Sequence, residues 1–223
     1  MPTDGGAIGR LYENGAARAA MLREKPRFSV GVDLGQAQDY TAIAVVESAR
    51  VVLPERDPIT WSFRTEVLHN CRHAERVPLE VPYPDVAAHV SRLVQRAKAE
   101  GAVTVVVDAT GVGAPVVDLL RRGGLGCRVI PVVITGGETE SNDGVRYRVP
   151  KRDLMAGLQV AFQKRRLGLA AGLGVLPELR EELRSMRVRV SGDGFERYGG
   201  RGHDDLVMAL ALAWWRAARD VAG

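Results

Sequence analysis

The chain has 223 residues, of which 46% are hydrophobic, and a formal net charge of +4. This length suits one large domain or one domain with appendages, and the hydrophobic fraction can build a sizeable core. No apolar run is long enough to span a membrane, no signal peptide is recognisable and the two distant cysteines match no metal site, so a reduced cytoplasmic setting is expected.

The first third of the chain predicts three strands after a leading segment. Residues 1–27 are rich in glycine and alanine and then charged, which is typical of a linker or a short leading helix. Alternating apolar side chains predict strands at 28–34 and 40–48. A third strand is expected at 60–73, after a loop at 50–59 that contains two prolines. The short connection between the first two strands predicts a hairpin.

The middle of the chain alternates helices and strands. Helical spacing with a Pro-Asp start and a glycine stop predicts a helix at 82–101. A strand at 102–110, apolar on both faces, is typical of a central parallel strand. A short helix at 114–124 and a strand at 127–135 follow, and 136–150 is expected to be a polar, mobile loop. This order predicts an α/β fold whose mixed sheet has antiparallel leading strands and a parallel second half, flanked by helices.

The last third predicts three helices and a hairpin. Amphipathic helices are expected at 151–166 and within 173–186. The segment RVRVSGDGFERYG alternates around a turn sequence, which indicates a hairpin at 187–199. A strongly apolar helix closes the chain at 203–219. Three tryptophans lie inside apolar patterns and are expected in the core: Trp61, Trp214 and Trp215.

Four acidic residues stand where a predicted strand or helix ends or begins. Asp33 closes the first strand and Asp108 closes the central strand, whereas Asp204 and Asp205 open the last helix. If the two strands are neighbours, their carboxylates leave the sheet together, and the helix needs only to place its first turn over them. Each residue alone also has a structural explanation, as a turn residue or as an acid favoured at a helix N-terminus. Their coincident placement at element ends favours a shared site.

Gathered carboxylates indicate a metal site. They repel each other and resist burial, so a positive group has to hold them together. Mg²⁺ and Mn²⁺ prefer oxygen ligands of this kind. Two such ions about 4 Å apart can clamp a phosphodiester, one activating the nucleophile and the other stabilising the leaving oxygen. The four aspartates therefore predict two divalent ions and phosphodiester hydrolysis.

Three motifs carry a resemblance to a known family. The segments GVDLGQAQDYTA, VVVDATGVGAPVVDLL and GHDDLVMALALAWW, in this order, resemble the nuclease domain of phage terminase large subunits, which has the ribonuclease H/RuvC-like fold. The resemblance spans roughly residues 28–218, within a predicted domain at 28–223. It implies a metal-dependent endonuclease that cuts concatemeric viral DNA during packaging in the host cytoplasm. It also implies an ATPase domain or subunit, a small terminase subunit and a portal as partners.

The resemblance assigns roles to individual residues. It places metal ligands at Asp33, Asp108 and the Asp204/Asp205 pair, without deciding which member of the pair binds directly. Adjacent helical residues point about 100° apart, so one is expected to face the metal and the other a supporting partner. His203 and Asp39 are candidates for supporting contacts around the ligands. The alternatives are a polar residue before a helix and an ordinary loop residue.

The sequence departs from full-length terminase large subunits in one respect. None of its four lysines is followed by Ser or Thr, so it contains no GxxxxGK[ST] phosphate-binding loop. ATP-driven translocation is therefore not expected of this polypeptide. It is interpreted as an excised nuclease domain or a standalone relative.

A basic stretch predicts contact with DNA. Residues 144–201 contain 13 Lys and Arg against 6 Asp and Glu, a net charge of +7, so the remainder of the chain carries about −3. Contacts of this kind follow the phosphate backbone, which predicts weak sequence specificity and strong salt dependence. A solvated basic surface is the alternative. The candidates for contact with DNA are Arg146, Arg148, Lys151, Arg152, Arg187, Arg189, Arg197 and Arg201.

Three other functions fit part of the pattern. A sugar-kinase or actin-like ATPase also begins with a Gly-x-Asp-x-Gly strand. Such proteins need two copies of the fold around a nucleotide cleft, and this chain has room for one. A RuvC-like junction resolvase shares the carboxylates and acts on four-way junctions. A non-catalytic DNA-binding module would bind DNA without Asp33 and Asp108 and would not cleave it.

Overall fold

The computed structural model describes residues 24–35, 39–111, 113–185, 187–190, 196–199 and 203–220, and of 187–190 and 196–199 the backbone alone. Most of the predicted leading segment, the SGDG turn and Arg201 lie outside these ranges. The described strands are β1 (Arg27–Asp33), β2 (Thr41–Arg56), β3 (Phe63–Val77), β4 (Ala102–Asp108), β5 (Arg128–Thr135), β6 (Ser141–Asn142), β7 (Tyr147–Pro150), β8 (Leu167–Leu169), β9 (Arg187–Val190) and β10 (Glu196–Gly199). The described helices are α1 (Tyr83–Glu100), α2 (Gly113–Arg122), α3 (Lys151–Gln163), α4 (Leu176–Ser185) and α5 (Asp205–Asp220).

Eight of the described strands form one sheet, in the order β6-β7-β5-β4-β1-β2-β3-β8. β1, β2 and β3 are antiparallel neighbours, whereas β4, β5 and β7 run parallel to β1. The predicted mixed sheet, with antiparallel leading strands and a parallel second half, is therefore confirmed. β9 and β10 pair antiparallel in a separate two-stranded sheet, as predicted for the hairpin.

The structure corrects two predicted loops. The stretch at 50–59 is not a loop, because β2 continues through it to Arg56 and the turn comes later. Pro54 is tolerated because it lies where the regular pairing with β3 is interrupted, between Val52 and Arg56, so its missing N–H breaks no regular ladder. The stretch at 136–150 contains β6 and β7, and β7 extends the parallel half of the sheet. The polar composition of this stretch predicted no strand, although β7 ends in the buried residues Val149 and Pro150.

Helices cover both faces of the sheet and bury two apolar clusters. α5 packs with α3 and α4 on one face, and α1 and α2 cover the other. The side chains of β1 alternate between these faces, so Val30 and Val32 contact the α1 side while Gly31 faces α5. This arrangement brings the first turn of α5 to the sheet edge where β1 ends.

The tryptophans divide between the core and the surface. Trp214 and Trp215 are buried in α5, as predicted. The prediction for Trp61 is wrong, because 71% of this residue is exposed. The apolar stretch around it forms the turn between β2 and β3 rather than part of a strand against the core. None of the helices in the described part of the chain is long and apolar enough to cross a membrane.

Candidate active site

Asp33 and Asp108 lie side by side at the edge of the sheet. β1 and β4 are parallel neighbours with Val32 opposite Val107, so the next residue of each strand is the aspartate. The Asp108 carboxylate is oriented by the turn after β4, since the Thr110 N–H donates to its Oδ1 at 2.8 Å. Because both carboxylates stand on central strands, their backbone positions are fixed by the sheet.

The glycine after this turn allows the close packing of the backbone. A Cβ on Gly113 would lie 2.0 Å from the carbonyl oxygen of Asp108, which no side chain permits. The Thr110 hydroxyl in turn accepts the Ile134 N–H at 2.9 Å, which binds the turn to β5. These contacts of Thr110 and Gly113 keep Asp108 at the sheet edge.

The electrostatics bring all four predicted aspartates to one place. Burial raises the pKa of Asp33 well above its usual range, and the carboxylates of Asp108, Asp204 and Asp205 raise it further, while Lys151 lowers it. Burial likewise raises the pKa of Asp108, against the hydrogen bonds from Thr110. The carboxylates at the start of α5 are therefore close enough to Asp33 to act on its charge.

The aspartates are nevertheless held by cationic side chains. Among the described residues, no group of three or more His, Cys, Asp or Glu side chains is arranged so that it could hold a metal ion as it stands. Asp204 instead contacts Lys151, with 2.6 Å between Oδ2 and Nζ. Lys151 is the first residue of α3 and was predicted to contact DNA. The structure places it beside the carboxylates.

Asp205 is buried and is bound by Arg76, a residue that sequence reasoning missed. The Arg76 Nε donates to Oδ2 of Asp205 at 3.1 Å, and Nη2 donates to Oδ1 at 3.0 Å. Arg76 on β3 pairs with Ala42 on β2, and Ala42 pairs in turn with Asp33 on β1. The predicted third strand ended at residue 73, so Arg76 fell outside every predicted element.

Glu182 is a fifth acidic residue of the site. Its Oε1 lies 2.5 Å from Nη2 of Arg76, and its Oε2 accepts the Val207 N–H at 3.0 Å. Burial raises the pKa of Glu182 to about 7, with a further contribution from Asp205, although the Val207 hydrogen bond and Arg76 act in the opposite direction. The one sequence signal was a glutamate at a core-facing position of the ELREEL helix.

Known proteins share this arrangement of strands and helices. The terminase large subunit of Thermus virus P23-45 is 27% identical over 208 residues, which are 91% of this chain and 35% of that protein. The large terminase nuclease of the thermophilic phage G20c, solved with bound magnesium, gives a TM-score of 0.56 at 24% identity, covering 88% of this chain and 84% of the other. The manganese-soaked terminase nuclease domain of human cytomegalovirus gives 0.52 at 14% identity, over 84% and 81%. No family model matches the chain.

The chain has the fold of a terminase nuclease domain. The predicted resemblance to this domain and the predicted ribonuclease H-like sheet are thereby confirmed. The chain spans about a third of the length of the curated relatives that it matches. The roles of individual residues in this terminase-like site remain predictions.

His203 and Asp39, the predicted supporting residues, lie close to each other just before α5 and β2. The His203 Nδ1 lies 4.0 Å from an Asp39 oxygen, and its ring meets the Tyr40 ring edge-on with 5.4 Å between centroids. The Arg76 guanidinium lies over the same Tyr40 ring, 5.1 Å from its centre. His203 is therefore linked to Arg76 through the Tyr40 ring, whereas Asp39 is largely exposed and approaches only His203 in these contacts.

The predicted DNA-binding arginines lie partly on the described surface. Arg146 and Arg148 are about half exposed and share Asp143, at 3.8 Å and 3.3 Å. Arg152 lies 3.4 Å from Asp153 and donates to a carbonyl oxygen of the preceding loop. The strands of the hairpin carry Arg187, Arg189 and Arg197, whose side chains lie outside the described part, as does Arg201.

Proposed function

We propose that the chain is a divalent-metal-dependent endonuclease that cleaves double-stranded viral DNA during genome packaging. The observation that carries this proposal is the pair of half-buried carboxylates on adjacent parallel strands, Asp33 and Asp108, beside the Asp204/Asp205 turn at the start of α5. The fold of terminase nuclease domains and the relatives named as terminase large subunits support it. DNA, the ATPase motor, a small terminase subunit and a portal are the proposed partners.

The charge of the site fits divalent cations. Five carboxylates meet two cationic side chains. Burial raises the pKa values of Asp33, Asp108 and Glu182, and neighbouring carboxylates raise those of Asp33 and Glu182 further. Oxygen donors with uncompensated charge are the ligands that Mg²⁺ and Mn²⁺ prefer. The proposed ligands are Asp33, Asp108, Asp204 and Asp205, for two ions. When bound, such ions would lower the pKa of the attacking water and neutralise charge on the phosphate.

The residues of the chain supply position and charge. β1 and β4 hold Asp33 and Asp108 at fixed places on the sheet, and the Thr110 N–H fixes the orientation of Asp108. Lys151 lowers the pKa of both aspartates and thereby favours their ionised form. Arg146 and Arg148, in and next to β7, and Arg152 on α3 are the proposed contacts for a phosphate backbone that approaches this edge.

Plasmid digestion with Mg²⁺ or Mn²⁺ tests the proposal. Replacing Asp33, Asp108 or Asp205 by asparagine keeps the side-chain shape and removes a charged oxygen. Because metal ions contribute several kcal/mol to transition-state stabilisation, we expect cleavage to fall by at least about 100-fold in each variant. Asp118→Asn is the matched control, since Asp118 is exposed on α2, on the face of the sheet opposite α5.

Each alternative predicts a different outcome. Undiminished cleavage by the Asp108→Asn protein would contradict the proposed mechanism. Preferential cleavage of four-way junctions over linear duplex would indicate a RuvC-like resolvase. Binding of DNA by the wild type and by both Asp33 and Asp108 variants, with no cleavage in Mn²⁺, would indicate a non-catalytic binding module.

A further inference from the structure

Arg76 holds the Asp205 carboxylate with a two-pronged contact. Its Nε and Nη2 donate to the two oxygens of Asp205 at 3.1 Å and 3.0 Å, so one planar group engages the whole carboxylate. A fork of this kind fixes the plane of a carboxylate as well as its position. Each oxygen keeps lone pairs that Arg76 does not use, so Asp205 can still bind another cation.

Arg76 is itself fixed from behind. Its Nη2 lies 2.5 Å from Oε1 of Glu182, and its guanidinium lies over the Tyr40 ring. The other oxygen of Glu182 accepts the Val207 N–H in the first turn of α5, at 3.0 Å. This network joins β3, α4 and the start of α5 around Asp205.

We propose that Arg76, supported by Glu182, is a positioning residue that presents Asp205 for divalent-cation binding. This inference rests on the proposed function and deepens it. A cation beside a metal site opposes metal binding through like-charge repulsion. Charge alone therefore predicts that Arg76 weakens ion binding, whereas positioning predicts that its geometry strengthens it. A variant that keeps the charge and loses the fork separates these effects.

Arg76→Lys is that variant. Lysine retains the positive charge but presents a single ammonium group, which cannot engage both Asp205 oxygens in one plane and reach Glu182 as well. Loss of a group that orients a metal ligand lowers metal affinity by roughly 10- to 100-fold, so we expect Mn²⁺ to bind about tenfold more weakly. Calorimetric titration of the intact chain with Mn²⁺ measures this directly, without any DNA.

A second readout and a matched control complete the experiment. The Mn²⁺-induced rise of the unfolding temperature should shrink in Arg76→Lys, and DNA cleavage should recover in part at high Mn²⁺. Arg72→Lys makes the same change on the same strand, where the Arg72 Nε lies 3.5 Å from the buried carboxylate of Glu47. We expect this control to bind Mn²⁺ like the wild type.

Glu182→Gln tests the support behind Arg76. It keeps an oxygen that can accept the Val207 N–H and removes the charge that anchors the guanidinium. We expect Mn²⁺ binding to weaken in the same direction and by less than in Arg76→Lys. If Arg76→Lys fails to fold, which the unfolding temperature without Mn²⁺ reveals, Glu182→Asp carries the test, because it keeps the negative charge and withdraws the carboxylate from Arg76 by one methylene group. Unchanged Mn²⁺ binding by folded Glu182→Asp would then overturn the positioning role.

The outcomes separate the two proposals. Wild-type protein that binds Mn²⁺ and cleaves DNA, with folded Arg76→Lys binding Mn²⁺ equally well or more tightly, would overturn the positioning role alone. Wild-type protein that takes up no Mn²⁺ and cleaves nothing would overturn the proposed function and this inference together. Weaker binding in Arg76→Lys and normal binding in Arg72→Lys support both.

Discussion

Ionisable side chains that are at least partly buried lie toward both ends of the antiparallel strands, and burial shifts their pKa values in opposite directions. At the carboxyl end of β1, burial raises the pKa of Asp33, which favours its neutral form. Toward the other end of the sheet, on β3, burial lowers the pKa of His69 to about 4, with a smaller contribution from Arg166. Burial disfavours the charged form of a carboxylic acid and of an imidazole alike, but only the acidic end has the oxygen ligands that recruit a cation.

His69 should make the folded state sensitive to acid. Its imidazole is 7% exposed, and Nδ1 lies 2.8 Å from the Ser48 hydroxyl. Because the pKa of His69 is lower in the folded chain than in the unfolded chain, the unfolded state binds more protons between pH 6.5 and about 4. The free energy of unfolding should therefore fall by up to roughly 3 kcal/mol as the pH falls through this window.

Urea unfolding of wild type and His69→Gln at several pH values checks this expectation. The difference between the two proteins isolates His69, because other groups titrate in both. His203→Gln is the control, since this side chain is about half exposed. Parallel pH profiles for wild type and His69→Gln would show that the imidazole contributes nothing to the acid sensitivity.

The elements show which parts of the site a sequence can reveal. Asp33, Asp108 and the Asp204/Asp205 pair end or begin apolar segments, so their places at the sheet edge follow from hydrophobic patterning alone. Arg76 and Glu182 could not be found this way. Arg76 binds Asp205, which is 129 residues away in the sequence, and Glu182, which is 106 residues away. The short strands β6 and β8, at the two edges of the sheet, were missed for a related reason: their pairing, not their composition, makes them strands.

Gly31 decides how closely α5 approaches β1. A Cβ at this position would lie 2.0 Å from the carbonyl oxygen of Ala209 and 2.7 Å from the backbone nitrogen of Ala213. Backbone atoms of a helix cannot rotate away as a flexible side chain can, so Gly31→Ala must displace α5. Overpacking of this kind costs about 1–3 kcal/mol, and we expect a loss of unfolding free energy of at least this size.

Chemical denaturation of Gly31→Ala measures the loss. Gly172→Ala is the control, because a Cβ there meets no atom within 4 Å. Surface changes of this type stay within about 0.5 kcal/mol of the wild type. A Gly31→Ala protein as stable as Gly172→Ala would show that α5 packs at a greater distance from β1. Weaker Mn²⁺ binding by a folded Gly31→Ala protein would show that the helix displacement reaches Asp205.

Charge is distributed unevenly over the whole molecule, in a way that suits a polyanion. The +7 of residues 144–201 lies in the segment that contains β7, α3 and the hairpin, next to a site with surplus negative charge. The acidic cluster repels phosphate unless cations are bound. When no cation is bound, the basic side chains around the cluster have to supply the attraction. DNA binding by this molecule should therefore depend strongly on salt and weakly on sequence.

The salt dependence of duplex binding identifies the side chains that supply this attraction. Each phosphate contact contributes about 0.9 to the slope of log K against log salt, so replacing Arg146, Arg148 and Arg152 by alanine should reduce the slope by up to about 2.7. Arg92, Arg96 and Arg122 are exposed on α1 and α2, on the opposite face of the sheet. Replacing these three by alanine removes the same charge and should leave the slope nearly unchanged, because no phosphate contact is lost.

Fluorescence anisotropy with labelled duplex in EDTA measures both slopes without cleavage. Equal reductions in the two triple variants would mean that net charge, rather than a defined DNA path beside the carboxylates, governs binding.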